Sequence, residues 1–133
     1  MYTSEVIYLG GLRTQAKHMI SESVIITDAP LDNQGKGQAF SPTDLLATSL
    51  AQCMMTIMGI EAEKLDINLT ETKIEVIKKM TLSPRKVAKI EIVFYLPETA
   101  IKFKTELEHA ALNCPVALSL NPELKQHVVF NYV

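Results

Sequence analysis

Cysteine is scarce in this sequence and positive charge is not in excess, and each of these features excludes a class of protein. Two cysteines are too few for a small disulfide-bonded scaffold, because such domains are short and carry several bridges. The formal net charge is −2, so the chain has no basic field of the kind that binds a phosphate backbone or an anionic membrane surface. We therefore expect neither nucleic acid nor a membrane as a partner.

Signals for export, repeats and disorder are also missing. The first residues, MYTSEVIYLGG, lack a positive region followed by an apolar stretch and a small-residue cleavage site, so we expect a cytoplasmic protein. No internal repeat and no long run of one residue or one charge interrupts the 133 residues. A chain of this length buries enough surface to form its own core, so we expect a single domain over residues 1–133.

Extended segments come in groups and do not alternate with helices. The first three segments are short and bounded by turn-forming residues, and the segments 71–82 and 87–96 are rich in β-branched residues. The six segments are residues 3–9, 13–19, 23–28, 71–82, 87–96 and 127–133. Every second residue from Ile90 to Leu96 is large and apolar, so these side chains should share one face. This grouping predicts an α+β fold built on a largely antiparallel sheet.

A helix begins at Ser41 and carries the first cysteine, Cys53. Ser41 can cap the helix, Pro42 suits its first turn, and Asp44 completes a capping box. The residues up to Ile60 are apolar almost all round, although polar side chains interrupt them too often for a membrane span. Such a helix is typical of a core that buries it on most sides, and so small a chain has few elements to cover it. We therefore expect a homodimer, in which a second copy covers the remaining face.

The second cysteine, Cys114, lies where two helices meet. Apolar residues recur at helical spacing from Thr99 to about Asn113, and Pro115 disfavours helical backbone at Cys114. A short helix then covers residues 116–120, so Cys114 should lie near its N-cap. Amide groups at a helix start favour a thiolate, which on local grounds favours Cys114 as the reactive thiol, whereas Cys53 lies in mid-helix. The alternative is that both thiols are small buried hydrophobic residues.

Two segments around these cysteines resemble the signature of the OsmC/Ohr family. They are residues 41–53, Ser-Pro-Thr-Asp-Leu-Leu-Ala-Thr-Ser-Leu-Ala-Gln-Cys, and residues 113–116, Asn-Cys-Pro-Val, followed by Leu-Asn-Pro. The resemblance implies an OsmC-like fold, in which an antiparallel sheet holds a buried central helix and two chains intertwine as a homodimer. It also implies a hydroperoxide reductase in which Cys53 attacks the peroxide, Cys114 resolves the sulfenic acid as a disulfide, and a lipoyl-type dithiol restores both thiols.

An apolar pocket near the thiols would favour organic hydroperoxides over hydrogen peroxide. Four side chains are expected to line it: Met54, Met55, Ile57 and Phe103. We expect no cofactor in this thiol chemistry. A metal site built from Cys53, Cys114 and His109 would fall short of the usual four ligands, so we expect no metal either.

A reactive buried thiol needs a positive neighbour, because burial disfavours a thiolate. Arg85 lies at a hairpin tip, whereas Arg13 begins a strand and could point inward. The resemblance places an arginine from the N-terminal region at the reactive thiol, so Arg13 is the candidate, and a surface position is the alternative. Peroxidases of that family have glutamate directly after the proline, where this chain has Thr43. The next residue, Asp44, is either a substitute partner for Arg13 or the capping carboxylate.

Three functions are compatible with these residues. The first is a thiol peroxidase for organic hydroperoxides, which the presence of both cysteines favours. The second is a non-catalytic OsmC-like protein that binds a small molecule in a dimer-interface pocket, which Thr43 favours. The third is a redox-regulated interaction module whose disulfide alters a partner surface.

Overall fold

The computed structural model describes residues 1–133, which divide into two compact units, Met1–Leu46 and Ala47–Val133. The first unit is built on three strands: β1 (Ser4–Gly10), β2 (Arg13–His18) and β3 (Val24–Asp28). They pair in the order β1-β2-β3 and are antiparallel throughout. The predicted group of three N-terminal strands is thereby confirmed.

Glycine makes the turn between β1 and β2. Gly10 and Gly11 have φ angles of 81° and 61°, in the left-handed region that glycine enters without a Cβ penalty. After β3, a loop with one 3-10 turn at Leu31–Asn33 leads to the long helix. Several large apolar side chains of the first unit stay exposed, among them Val6, Ile7, Tyr8, Leu9 and Ile25.

The long helix α1 (Pro42–Lys64) begins at the predicted capping box. Asp44 Oδ2 accepts a hydrogen bond from the Ser41 backbone N–H at 3.0 Å, and Ser41 Oγ accepts one from the Asp44 N–H at 3.0 Å. Its buried residues lie on one face of the helix: Ala47, Leu50, Ala51, Met54, Met58 and Ala62. Leu46 and Ile60 stay exposed, so a single chain buries one face of α1 and not most of its sides.

The second unit contains a separate sheet of three strands: β4 (Lys73–Leu82), β5 (Arg85–Leu96) and β6 (Lys125–Tyr132). β4 and β5 form the predicted antiparallel hairpin, whereas β6 pairs with β5 in parallel. The chain therefore has two sheets, not one largely antiparallel sheet. The parallel pairing arises because helices connect β5 to β6, and such a crossover returns the chain in its original direction. The predicted α+β class is confirmed.

Two short helices form this crossover. A 3-10 segment, Glu98–Phe103, leads into α2 (Lys104–Leu112), where one continuous helix from Thr99 was predicted. The helix α3 (Pro115–Ser119) follows after Cys114. The crossover thus carries Cys114 at the junction of two helices, as the position of Pro115 predicted.

The core of the second unit combines residues of α1, α2 and the sheet. The alternate residues of β5 from Ile90 to Leu96 are fully buried, which confirms the predicted face. Leu50 of α1 and Leu107 of α2 belong to the same cluster. By length and composition alone α1 could cross a membrane, with a mean hydropathy of 1.4 over its most apolar part. A core helix passes the same test, and the buried face of α1 belongs to this core.

Candidate functional site

Cys53 lies on α1, one turn before Ile57 on the same side of the helix. Its side chain is partly buried and packs against the core cluster. The capping box anchors the N-terminal end of α1, so a local sequence signal determines where the helix begins and hence which turn carries this thiol.

Cys114 caps the N-terminal end of α3. Its backbone is extended, with φ −68° and ψ 155°, as expected for the residue before Pro115. Its Sγ accepts a hydrogen bond from the Ala117 backbone N–H at 3.4 Å. The residue is 0% exposed, so its thiol lies wholly within the core. The predicted N-cap position is confirmed.

The two thiols are far apart in the chain but close in the fold, because Cys53 packs against the core cluster that contains Cys114. Burial raises the pKa of Cys114, and the Cys53 side chain raises it further. The backbone N–H groups of Ala117 and Val116 lower the pKa of Cys114 but do not offset the burial. The expectation from local signals, that the helix start makes Cys114 the more reactive thiol, therefore omits the larger effect.

The four residues expected to contact substrate all belong to the hydrophobic core cluster or pack against it. Met54 is fully buried, and Met55, Ile57 and Phe103 are partly buried and pack against the cluster that contains Cys114. Their contact with substrate stays a prediction.

The second unit also contains a groove and two of the three histidines. The groove, of about 680 Å³, opens beside α3 and the start of β6, where Lys89, Lys125 and His127 help to line it. Neither cysteine lines this groove. His109 is exposed on α2, and no group of three His, Cys, Asp or Glu side chains is placed to hold a metal ion.

In the first unit, Arg13 is held by a buried carboxylate. Its Nε and Nη2 donate to the two carboxylate oxygens of Asp28 at 2.7 and 2.8 Å, and Nη2 also donates to Gln38 Oε1 at 2.9 Å. Asp28 is 0% exposed and also accepts the backbone N–H of Gln38 at 3.1 Å. This bidentate pair fixes the plane of the guanidinium and leaves Nη1 outside it.

Sequence reasoning did not identify Asp28 or Gln38. Asp28 lies directly opposite Arg13 in the register of β2 and β3, so an opposite-charge pair at matched strand positions was the available signal. The hydrogen bond from Arg13 holds the pKa of Asp28 below its usual value, so the pair stays ionised at neutral pH. Asp44, the acid considered as a partner for Arg13, forms the capping box with Ser41.

A family model matches most of the chain. Residues 35–128 match the model described as OsmC-like protein. The chain belongs to the OsmC-like family. The matched segment includes Thr43, Cys53 and Cys114, whereas Arg13 and Asp28 lie before it. The resemblance seen in the two cysteine segments is confirmed.

Solved structures of similar proteins share the OsmC-like fold. A provisionally assigned osmotic stress induced and detoxification response protein from Psychrobacter arcticus 273-4 is 50% identical, with a TM-score of 0.95 over 98% of this chain and 96% of that one. An organic hydroperoxide resistance protein OsmC from Legionella pneumophila is 16% identical, with a TM-score of 0.77 over 98% of each chain. An OsmC like protein from Mycoplasma pneumoniae is 18% identical, with a TM-score of 0.81 over 100% of this chain and 97% of that one. No curated protein matches the chain.

Proposed function

We propose that this OsmC-like protein is a thiol-dependent peroxidase that reduces organic hydroperoxides with Cys53 and Cys114. The observation that carries the proposal is the proximity of the two thiols: Cys53 packs against the cluster that contains Cys114, and its side chain raises the pKa of Cys114. A disulfide between them would then need only a modest movement. Family membership supports a redox role related to peroxides. The organic hydroperoxide resistance protein from Legionella pneumophila, which has the same fold, supports it as well.

Burial gives the two thiols different tasks in this proposal. Cys53 is partly exposed, so a peroxide can reach it, whereas Cys114 is 0% exposed and its pKa is raised by burial. The Cys53 thiolate attacks one peroxide oxygen, the O–O bond breaks, and the alkoxide leaves and takes up a proton to become the alcohol. The Cys114 thiol then attacks the Cys53 sulfenic acid, which forms the disulfide and releases water.

Arg13 is the proposed source of positive charge for the reactive thiolate. The family resemblance supports this role, and within the first unit Asp28 and Gln38 hold the guanidinium in one orientation. Because Thr43 stands where peroxidases of the family have glutamate, Asp28 would orient the arginine in this chain. Asp44 would act at the site through the capping box that anchors the helix of Cys53.

The proposed substrate and reductant follow from the side chains and the chemistry. An apolar organic hydroperoxide suits the four apolar residues proposed to contact it: Met54, Met55, Ile57 and Phe103. A dithiol of the lipoyl type is the proposed reductant, because a second thiol on the same molecule closes its own disulfide and so completes the reduction. A cytoplasmic location is proposed because that compartment keeps thiols reduced.

We propose a homodimer as the working form. Consecutive apolar residues of β1 are exposed: Val6 63%, Ile7 50%, Tyr8 63% and Leu9 51%. Consecutive strand residues point to opposite faces, so β1 exposes apolar side chains on both of its faces, and a second copy would cover them. Light scattering coupled to gel filtration should give the mass of a dimer at assay concentrations, and a monomer would contradict this part of the proposal.

Peroxide consumption by single-cysteine variants tests the proposed reaction. The reduced chain, mixed with an organic hydroperoxide and excess dithiol, should consume peroxide through many turnovers and should prefer it to hydrogen peroxide. Cys53→Ser should abolish consumption, and Cys114→Ser should end sustained turnover after the first attack. Cys114→Ala repeats the second variant without placing a hydroxyl in a fully buried position.

The outcomes separate the candidate functions. Turnover that survives in Cys53→Ser but disappears in Cys114→Ala would give the attacking role to Cys114. No turnover in any form would remove the peroxidase and leave the non-catalytic binding protein, the alternative that Thr43 favours. Titration calorimetry with apolar thiols and peroxides would then test that alternative directly.

A further inference from the structure

The two sulfurs of the proposed Cys53–Cys114 disulfide differ in their exposure to a reductant. Cys114 is 0% exposed, whereas Cys53 is partly exposed. In thiol–disulfide exchange the attacking thiolate must reach one of the two sulfurs, so the exposure of each sulfur determines which one is attacked. We infer that the dithiol attacks Cys53 and that Cys114 is the leaving sulfur in the recycling step; this inference rests on the proposed function.

Packing around Cys114 hinders attack on its sulfur. Its neighbours in the chain, Ala111 and Ala117, belong to the same buried cluster. The Ala117 carbonyl accepts a hydrogen bond from Gln126 Nε2 at 3.0 Å, which ties α3 to β6. A reductant that attacked Cys114 would first have to open the packing that buries it. Attack at Cys53 needs no such opening.

Hydrogen-bond donors already lie where negative charge would appear on Cys114. The Ala117 N–H donates to its Sγ at 3.4 Å, and the Val116 N–H also favours its thiolate. Hydrogen bonds to a charged acceptor are about twice as strong as those to a neutral one, so these donors gain strength as the bond to Cys53 breaks. Burial disfavours the same thiolate, so access to Cys53, and not the acidity of Cys114, determines the direction of attack.

The exchange balances without any further reactant. The first thiolate of the dithiol forms a bond to Cys53 Sγ, the Cys53–Cys114 bond breaks, and its electron pair and then a proton go to Cys114 Sγ. The second thiolate attacks the reductant's own sulfur in this mixed disulfide, which releases the Cys53 thiolate and the oxidised reductant. Two electrons have then passed from the dithiol to the protein.

Trapping of a mixed disulfide tests the inference without any peroxide. The full chain is oxidised with diamide and treated briefly with 2-mercaptoethanol. The reaction is quenched in acid, the freed thiols are alkylated, and peptide mass mapping locates each label. Mercaptoethanol should appear on Cys53 and the alkyl group on Cys114, in excess over the reverse pattern by at least about tenfold, the ratio for a barrier difference of about 1.4 kcal/mol. Equal labelling, or mercaptoethanol mainly on Cys114, would overturn the inference.

The same oxidised chain unfolded in urea is the matched control. Both sulfurs are then accessible, so the ratio should fall towards one; a bias that persists would come from neighbouring residues and would refute the argument from burial. Diamide forms the disulfide without a peroxide substrate, so a chain that fails the peroxidase assay still gives an answer here. Failure of diamide to join the two cysteines would instead contradict the proposed function itself.

Discussion

Tyr132 joins the last strand to the helix that precedes Cys114, and its hydrogen bond permits a quantitative test of burial. Its hydroxyl donates to Glu108 Oε2 at 2.9 Å, which links β6 to α2. Tyr95 makes the same kind of bond in an exposed setting, where its hydroxyl donates to Glu75 Oε1 at 2.8 Å. The two donor–acceptor distances nearly match, so the difference between Tyr132→Phe and Tyr95→Phe tests burial; Lys73, which lies over the Tyr95 ring and pairs with Glu75, is the other difference between the two sites.

The expected loss follows from the partly buried position of the Tyr132 bond. A hydrogen bond to a charged acceptor contributes about 1.5 to 3 kcal/mol when buried, and partial exposure reduces this to about 1 kcal/mol. For a chain of this size, that change lowers the melting temperature by about 3 to 5 °C. Tyr95→Phe should leave the melting temperature unchanged within error, because water replaces the lost phenol at an exposed site.

The pH dependence of the same variant has a definite sign. Burial, followed by the hydrogen bond to Glu108, raises the pKa of Tyr132 above its ordinary value of 10.0. The folded chain therefore keeps the phenol proton at a pH where the unfolded chain loses it. This contribution to stability is complete below pH 10.0 and is lost as the pH rises above it. Wild type should lose more stability than Tyr132→Phe on alkaline titration.

Circular dichroism follows both effects: thermal unfolding gives the melting temperatures, and urea unfolding gives the change in stability with pH. The two variants and wild type are compared at neutral pH and again in alkaline buffer. Equal losses in Tyr132→Phe and Tyr95→Phe would show that burial does not distinguish the two bonds. An alkaline loss in Tyr132→Phe as large as that of wild type would refute the assigned titration.

Three further predictions concern the acidic residues and the thiols. Asp44→Ala should lower the melting temperature by about 3 to 5 °C, because the capping box loses about 1 kcal/mol. Asp44→Asn should lose less, because its amide oxygen can still accept the Ser41 N–H. Equal losses in the two variants would contradict the capping box. Asp28→Asn should make stability less dependent on pH during acid unfolding. The hydrogen bond from Arg13 lowers the pKa of Asp28, so the carboxylate stabilises the fold above its ordinary pKa of 3.8, and this stabilisation is lost as the pH falls below that value. An unchanged acid unfolding profile would refute this. Iodoacetamide at neutral pH should modify Cys53 faster than Cys114 in the native chain and at similar rates in urea, as peptide mass mapping would show, and equal native rates would argue against the burial of Cys114.

Features that depend on neighbouring residues could be predicted from the sequence. The capping box of Ser41 and Asp44 uses residues three positions apart, and the alternation from Ile90 to Leu96 needs only the period of a strand. Pro115 likewise determines the extended backbone of Cys114, because the clash between them is local. Each of these features was correctly predicted without knowledge of any distant contact.

Features that depend on strand register or on the path of the chain were not predicted. β6 pairs with β5 in parallel because the crossover through α2 and α3 returns the chain in its original direction, which no local pattern records. Asp28 became the partner of Arg13 through the register of β2 and β3. Asp44 was considered for that role because it stands next to the position where the family has its acid, which is nearness in sequence and not in space.

The thiol pair shows why a local signal can be correct and still lead to the wrong emphasis. Cys114 does cap a helix, and the Ala117 N–H does donate to its sulfur, so the predicted interaction that favours a thiolate exists. The same Pro115 junction, however, belongs to a crossover that packs into the core, and burial there raises the pKa of Cys114 by more than the amides lower it. The amide contribution can be recognised from a few neighbouring residues, whereas the burial depends on the core cluster to which α1, α2, β5 and Cys114 all contribute. A fully buried cysteine such as Cys114 is poorly placed to react with a peroxide from solvent, but it is well placed to react as a thiol with the more exposed Cys53.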